Sequence, residues 1–431
     1  EYGPSDAFRY PFFPGLKKAG SGAPLYEFKT LILHNSGNDY NGAFIRDALL
    51  QGLVEHSPNL ETQASRFVVV YLNGSYWGLY CLRERLDEHC LAANYDVPPE
   101  RVAILELDAE VKHGTGQDRE EYLALRDYAK THDLSDPASY RHVAQMMAPR
   151  SFIEYYAANI YFHNVDWAYN NIGYWRIRPA GGDRGELPGR DGRWRWMLMD
   201  IDSGFALERP PFRTIERFER KHGPSSGPAA NTLKWALMVR DLRFEQRWPN
   251  LLFRSLLANG EFRNAFINRM ADELNSSFKP ERVIQRIDEL EAALLPELAA
   301  QIRRWGEIGS VEEWRRNVEW LRRFARERPE HVRRHFAEHF GLGGCARVTL
   351  QADQREGHVR INELDVSEAT PGIVRPEVWT GVYFRGVPVR IAAIPEKGYR
   401  FAGWEGTEFK EAEITLVPEG DLELAARFEK E

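Results

Sequence analysis

Residues 151–175 read SFIEYYAANIYFHNVDWAYNNIGYW, and residues 194–205 read WRWMLMDIDSGF. In the first stretch Phe152, Ile153, Tyr156 and Ile160 share one helical face, which predicts a buried helix that ends near Asn164 and Asp166. Ile172–Arg178 and Trp194–Asp200 then read as two strands of a hairpin. Their connection, AGGDRGELPGRDG, is too polar and glycine-rich for a core. Asp200, Asp202 and Gly204 follow the second strand, where a loop can present them to a ligand. The hairpin removes the objection that Asp166 and Asn171 lie far from Asp202 along the chain.

Carboxylates and an amide in this order suit phosphoryl transfer from a nucleotide. That reaction needs one carboxylate beside the attacking hydroxyl and oxygen ligands that hold magnesium on the phosphates. Asp166 takes the first role, orienting an acceptor hydroxyl and receiving its proton late in transfer. Asn171 offers a neutral carbonyl oxygen to the metal and Asp202 a charged one. Asp200 is the reserve metal ligand, since residues two apart on a strand point to one side. Gly204 is expected to permit an unusual turn near phosphates. A bland reading stays open, with Asp166 as a turn cap, Asn171 a local hydrogen bonder and Asp202 a strand end.

Outward from this stretch, a strand is expected at Leu25–Leu33 and a helix over 41–56. Arg66–Leu72 and Tyr76–Arg83 flank Asn73-Gly74, the strongest hairpin signal in the chain. Tyr76, Trp77 and Tyr80 read as core aromatics, while Glu84 and the backbone around Leu82–Arg85 could line a nucleotide pocket. A strand at Val102–Leu107 precedes a polar turn with Lys112 and His113, where a cation could meet phosphate or simply face solvent. Arg46 is a further candidate phosphate partner. His163 could act as a base or merely pack or cap its helix. Helical segments follow at 118–130 and 137–163, a long loop or lid at 206–230, then helices at 251–257, 262–274, 280–298 and 311–340. Pro329 is expected to kink or divide the last of these.

Beyond a glycine hinge at 341–344 the pattern changes to short alternating runs, which predicts a small β domain over 345–431. There Tyr399, Phe401 and Trp404 are placed to fill a thin core. With 431 residues, two or more domains are expected. The formal charge of −7 gives no general attraction to nucleic acid, and no apolar run approaches the length of a membrane span. Cys81, Cys90 and Cys345 have neither zinc-site nor disulfide-framework spacing. The sequence has no HExxH, GxSxG or GxxxxGK signature. Glycan hydrolysis would need a second, opposed acid that nothing marks.

Three segments together resemble the spore coat protein H (CotH) kinase-like family: RFVVVYLNGSYWGLYCLRERLDE, the 151–175 stretch, and WRWMLMDIDSGFAL. The resemblance covers roughly residues 25–340. It implies an α+β, atypical protein-kinase-like fold with a helical C-terminal lobe. It also implies binding of ATP with Mg2+, and transfer to serine or threonine of a protein substrate. Carried over by motif, Asp166 is the catalytic residue, Asn171 and Asp202 are metal ligands, and Glu84 lies near the adenine end; Arg85 beside it is a further candidate for the nucleotide. Family members carry an upstream phosphate-binding segment with an Arg, a Gly-Asn pair and basic residues. Because the chain starts at Glu1, that segment is expected to be missing and residues 1–340 to be a truncated kinase domain. Residues 345–431 resemble a small β module repeated in bacterial surface proteins, which implies an extracytoplasmic or cell-surface setting. A non-catalytic surface or coat protein with a decayed kinase-like core is the alternative.

Overall fold

Asn73 and Gly74 adopt φ of 51° and 79°, the two left-handed residues that a type I′ turn requires. They join antiparallel strands Ser65–Leu72 and Ser75–Glu84, and Leu31–His34 pairs on the other side of the second strand. The computed structural model describes residues 6–180, 189–205, 226–238 and 248–431. The helix expected over 41–56 is shorter, Arg46–Val54, and every residue in it is buried. Glu27–Phe28 and Leu31–His34 replace the single strand expected at Leu25–Leu33.

A second antiparallel sheet has the order Glu110–His113, Val102–Glu106, Ile172–Ile177, Arg195–Leu198. In its register Ile172 faces Leu198. Asn171 and Asp200 therefore leave neighbouring strands at the same end of the sheet. Part of the connection between those strands, residues 181–188, lies outside the described residues.

The helix expected over 137–163 is two helices, Pro137–Met146 and Pro149–Phe162. Proline bars the helical region to the residue before it and fits the first turn of a new helix. Ala148 is extended instead, and its N–H donates to the Trp194 carbonyl at 2.9 Å. Pro329 has the opposite outcome, because Val311–Phe340 runs through it unbroken. The lost backbone bond costs about 3 kcal/mol. It is offset by a buried stripe of Leu321, Phe324, Ala325, Val332 and Phe336 that seats the helix in the core. Gly260–Leu274 and Pro280–Trp305 complete the helical part. The loop expected at 206–230 falls mostly on residues 206–225, outside those described.

The C-terminal region is all β, with two four-stranded sheets. Cys345–Gln351 and Leu422–Lys430 lie at the centre of one, Gly357–Ile361 and Val389–Pro395 at the centre of the other. Trp404 is buried there, while Tyr399 and Phe401 are only partly covered. The Asn275 side chain inserts like an extra strand residue, donating to the Val382 carbonyl (3.0 Å) and accepting from the Val382 N–H (2.9 Å). Asn268 donates to the Pro388 carbonyl at 2.7 Å, and Phe336 stacks near Phe384. The glycine linker at 341–344 thus joins two parts that are firmly docked.

Candidate active site

Helix Pro149–Phe162 ends at His163, which takes the left-handed conformation (φ 49°) usual for a glycine cap. The buried Arg328 guanidinium closes that end. It donates to the carbonyls of Ile160 (2.6 Å) and Tyr161 (2.9 Å), and also to Pro228, Ala230 and Thr232. A fixed cation at a helix C-terminus is favoured by the backbone dipole. His163 is itself buried, with Nδ1 2.8 Å from Thr232 Oγ1, so its ring packs and caps and does not face the aspartates.

The turn that follows is tied to itself. Asn164 Oδ1 accepts the Asp166 N–H at 3.1 Å. The Asp166 carboxylate accepts from Asn170 Nδ2 (2.9 Å), Asn171 Nδ2 (3.0 Å) and Tyr169 Oη (3.4 Å). Asp166 and Asn171 are thus in direct contact. Because Asn171 turns its amide nitrogen to Asp166, its amide oxygen points elsewhere.

Across the hairpin end, Asp202 is buried and anchored to a loop far away in sequence. Its carboxylate accepts from Asn38 N (2.5 Å), Asn38 Nδ2 (3.2 Å) and Ser203 Oγ (3.1 Å). Gly37 lets the loop come this close, since a methyl group on it would strike Asp202 Oδ2. The loop is held from behind by Val311–Phe340, where Trp314 Nε1 donates to the Ala43 carbonyl (2.7 Å) and Asn317 to that of Gly42 (3.2 Å). Gly204 has a packing role in place of the turn expected of it: a methyl group there would strike Leu50, while Phe205 takes the left-handed angle.

Asp200 sits at φ 43°, with one buried carboxylate oxygen that has no hydrogen-bond partner among the described residues. Its pKa is pushed up to about 6, first by burial and then by the like charges of Asp202 and Asp47, with Asp166 adding to them. Arg83 opposes that rise, but its guanidinium is committed to Asp47 at 2.6 Å. Asp47 in turn accepts the Ile201 N–H at 3.0 Å and so fixes the loop between the two aspartates. Left-handed backbone at Ser36, Phe44, His163, Asn171, Asp200 and Phe205 concentrates around this one place. Such angles cost energy in residues with side chains, and tend to gather at functional sites.

Oxygen donors alone make up this set, which fits magnesium and not zinc. Among the described residues no three His, Cys, Asp or Glu side chains form a ready cation cage. Magnesium keeps waters and phosphate oxygens and needs only one or two carboxylates from the protein. The orphaned oxygen of Asp200 and the mutual repulsion around it are what a divalent cation would relieve.

The remaining expected contacts lie elsewhere. Arg46 is buried and paired with Asp39, and Lys112 is exposed on an edge strand beside Glu106 at 3.4 Å. Neighbours on a strand face opposite ways, and Glu84 accordingly turns away from the side to which Arg83 reaches. The Glu84 carboxylate accepts the Ala64 N–H (3.1 Å), and burial pushes its pKa up to about 7. Glu84 and Arg85 line a cavity of about 950 Å³ together with Lys29, Thr30, His89 and Cys90, and none of Asp166, Asp200 and Asp202 lines it. The residues missed by sequence reasoning are Gly37, Asn38, Asp47, Arg83 and His34.

Asp166, Asn171, Asp200 and Asp202 thus gather where a helix end meets a hairpin end of an α+β body. The family model described as CotH kinase protein matches residues 8–332, and the chain belongs to that family. A divergent InlB B-repeat domain model matches residues 363–431. No curated protein matches the chain significantly. Among the described residues no helix is long and apolar enough to cross a membrane.

Proposed function

We propose that this chain transfers the γ-phosphoryl group of ATP to serine or threonine hydroxyls of a protein, in a magnesium-dependent reaction at Asp166, Asn171, Asp200 and Asp202. The observation that carries this reading is the meeting of two loops. One presents Asp166 held by Asn171; the other presents Asp202 and an under-bonded Asp200. Magnesium, when bound, would neutralise charge on the phosphates and hold them in line.

Asp166 receives hydrogen bonds from three side chains, which fix the orientation of its carboxylate for an incoming hydroxyl. From there it aligns the acceptor oxygen and takes its proton. Asp202, with Asp200 or the Asn171 oxygen, would hold the metal. Asn38 and Ser203 keep the Asp202 carboxylate from rotating. Arg83 and Asp47 form a buried ion pair that sets the height of the 200–202 loop. Glu84 and Arg85, on the other wall of the sheet, would bear on the nucleotide only through the neighbouring backbone.

The match to a surface-repeat domain favours a bacterial coat or cell-surface location, and keeps a binding role without catalysis as the second reading. One experiment separates them. The full chain is incubated with MgCl2 and γ-labelled ATP, and label is followed into the chain and into a Ser/Thr-rich acceptor such as casein, beside calorimetric titration with MgATP. Magnesium-dependent binding with label in phosphoserine or phosphothreonine supports transfer. Neither binding nor label would leave the non-catalytic reading in its place.

A further inference from the structure

The cations expected to meet phosphate lie elsewhere: Arg46 is paired with Asp39, Lys112 stands on an outer strand with Glu106, and Arg85 lines the separate cavity near Asp87. Arg83, though close, is paired with Asp47. A polyphosphate brought to Asp202 nevertheless needs donors from the protein as well as from the metal. His34 ends the strand Leu31–His34 and sits where such a donor is needed. In the sheet register His34 and Phe67 both face Cys81, which puts the imidazole on the side of the sheet to which Arg83 also belongs.

Two contacts fix the ring. Ser36 N–H donates to Nδ1 at 3.2 Å, so the ring proton of neutral His34 resides on Nε2. The position a Gly37 methyl would take, against the Asp202 carboxylate, is 3.3 Å from His34 Cε1. The Cε1–Nε2 edge is therefore turned to the neighbourhood of Asp202. Among the described residues Nε2 has no hydrogen-bond partner, and the side chain is only partly buried. A fixed N–H with nothing to donate to, beside the carboxylate proposed to hold the metal, is a vacant phosphate contact.

We propose that His34 is a phosphate-binding residue, donating its Nε2–H to a terminal phosphate oxygen of the nucleotide. This inference rests on the kinase reading, and concerns binding of the phosphates without assigning His34 a part in proton transfer. Burial, with Arg83 close by, holds the imidazole below its usual range despite the pull of Asp47 and Asp202. The donor is then a neutral N–H, selective for phosphate oxygen through geometry more than charge.

The test is calorimetric titration of the full chain with MgATP and with adenosine, for wild type, His34→Asn and His34→Gln. Asparagine places an acceptor where Nδ1 was, keeping the Ser36 anchor and deleting the distal donor. Glutamine restores an N–H near Nε2. A hydrogen bond to a charged group corresponds to roughly a tenfold to hundredfold change in affinity. His34→Asn should weaken MgATP by that factor while adenosine is unmoved, and His34→Gln should recover most of the loss. Equal MgATP affinity in wild type and His34→Asn overturns the inference and leaves the kinase reading standing. Equal weakening of MgATP and adenosine also overturns it, as a sign of general distortion. Wild-type protein that binds no MgATP removes both.

Discussion

Two places in this molecule crowd acids around too few cations, and they resolve the crowding differently. At the hairpin end, Asp47 holds the guanidinium of Arg83, which also bears on Asp200; among the described residues Asp200 keeps an unpartnered oxygen, as Asp272 and Glu273 do at the second place. At the junction with the β region, Glu154, Asp272 and Glu273 share the guanidinium of Arg269, which lies 2.5 Å from Glu273 and 3.5 Å from Glu154. The second group is sealed. Tyr383 Oη (2.8 Å) and Asn362 Nδ2 (3.1 Å) reach across from the β sheets to one oxygen of Asp272, and burial pushes its pKa up to about 7. The first group lies on loops with left-handed backbone, where Asp200 and the neighbouring Asp166 are only partly buried; the second is locked between helices and sheet. Buried acids that can be neutralised by a proton serve as structure, whereas those left open beside an oriented Asp166 have the properties of a cation site.

If that contrast is right, substitutions in the open group should act on ligands and those in the sealed group on stability. The largest effect is expected from Asp202→Ala, which should bring MgATP binding below calorimetric detection while the thermal midpoint of the free protein stays within a few degrees. Retained MgATP affinity would place the metal elsewhere. Asp166→Asn comes next. Phosphate incorporation should fall by about 10²- to 10⁴-fold, the range for loss of a general base, with MgATP affinity unchanged. Full transfer by this variant would remove Asp166 from the reaction.

Arg269→Met tests the sealed group. Removing the Arg269 guanidinium from these buried acids should cost about 3–5 kcal/mol of unfolding free energy, the range for breaking a buried pair. Denaturant unfolding measures it, and MgATP affinity should not move in protein that remains folded. A loss of nucleotide binding without a loss of stability would join the two clusters functionally and break the comparison. Coupling has a route to travel, since Glu154 stands on the helix that ends before Asp166.

Much of the frame was legible because it follows from local chemistry. Asn73-Gly74 dictated a hairpin, the apolar face at Phe152, Ile153, Tyr156 and Ile160 dictated a buried helix, and the change of period after Gly344 announced the β region. Pro149 and Pro329 show the limit. The same residue started a helix in one place and was tolerated inside one in the other, a difference decided by tertiary packing. At the site, Asp166, Asn171, Asp200 and Asp202 were readable as chemistry on two adjoining stretches. Asn38 and His34 were not, since their relation to Asp202 crosses more than 160 residues and depends on how closely Gly37 lets two loops approach. That Glu84 faces away from the aspartates has a related reason. Strand alternation sets which wall a side chain faces, and a one-residue difference from Arg83 put it on the other one.

The smallest expected effect is also the sharpest test of the sealed cluster, because it concerns one proton. Asp272 holds its proton more tightly in the folded chain than in the unfolded one, with a pKa of about 7 against an ordinary 3.8. A raised carboxyl pKa gives stability that is fully present below the unfolded value and is lost as pH rises through the folded one. Between pH 5 and 8 the wild-type thermal midpoint should therefore slope downward from this group. Asp272→Asn mimics the protonated acid, and its amide oxygen can still accept from Tyr383 and Asn362. The variant should be slightly less stable near pH 5 and level with wild type, or above it, near pH 8. Arg269, Glu273, Glu154 and Glu363 act on both proteins alike, so the difference between the two profiles isolates Asp272. Parallel profiles would mean that Asp272 is already ionised beside Arg269, and that the junction tolerates charge much as the hairpin end does.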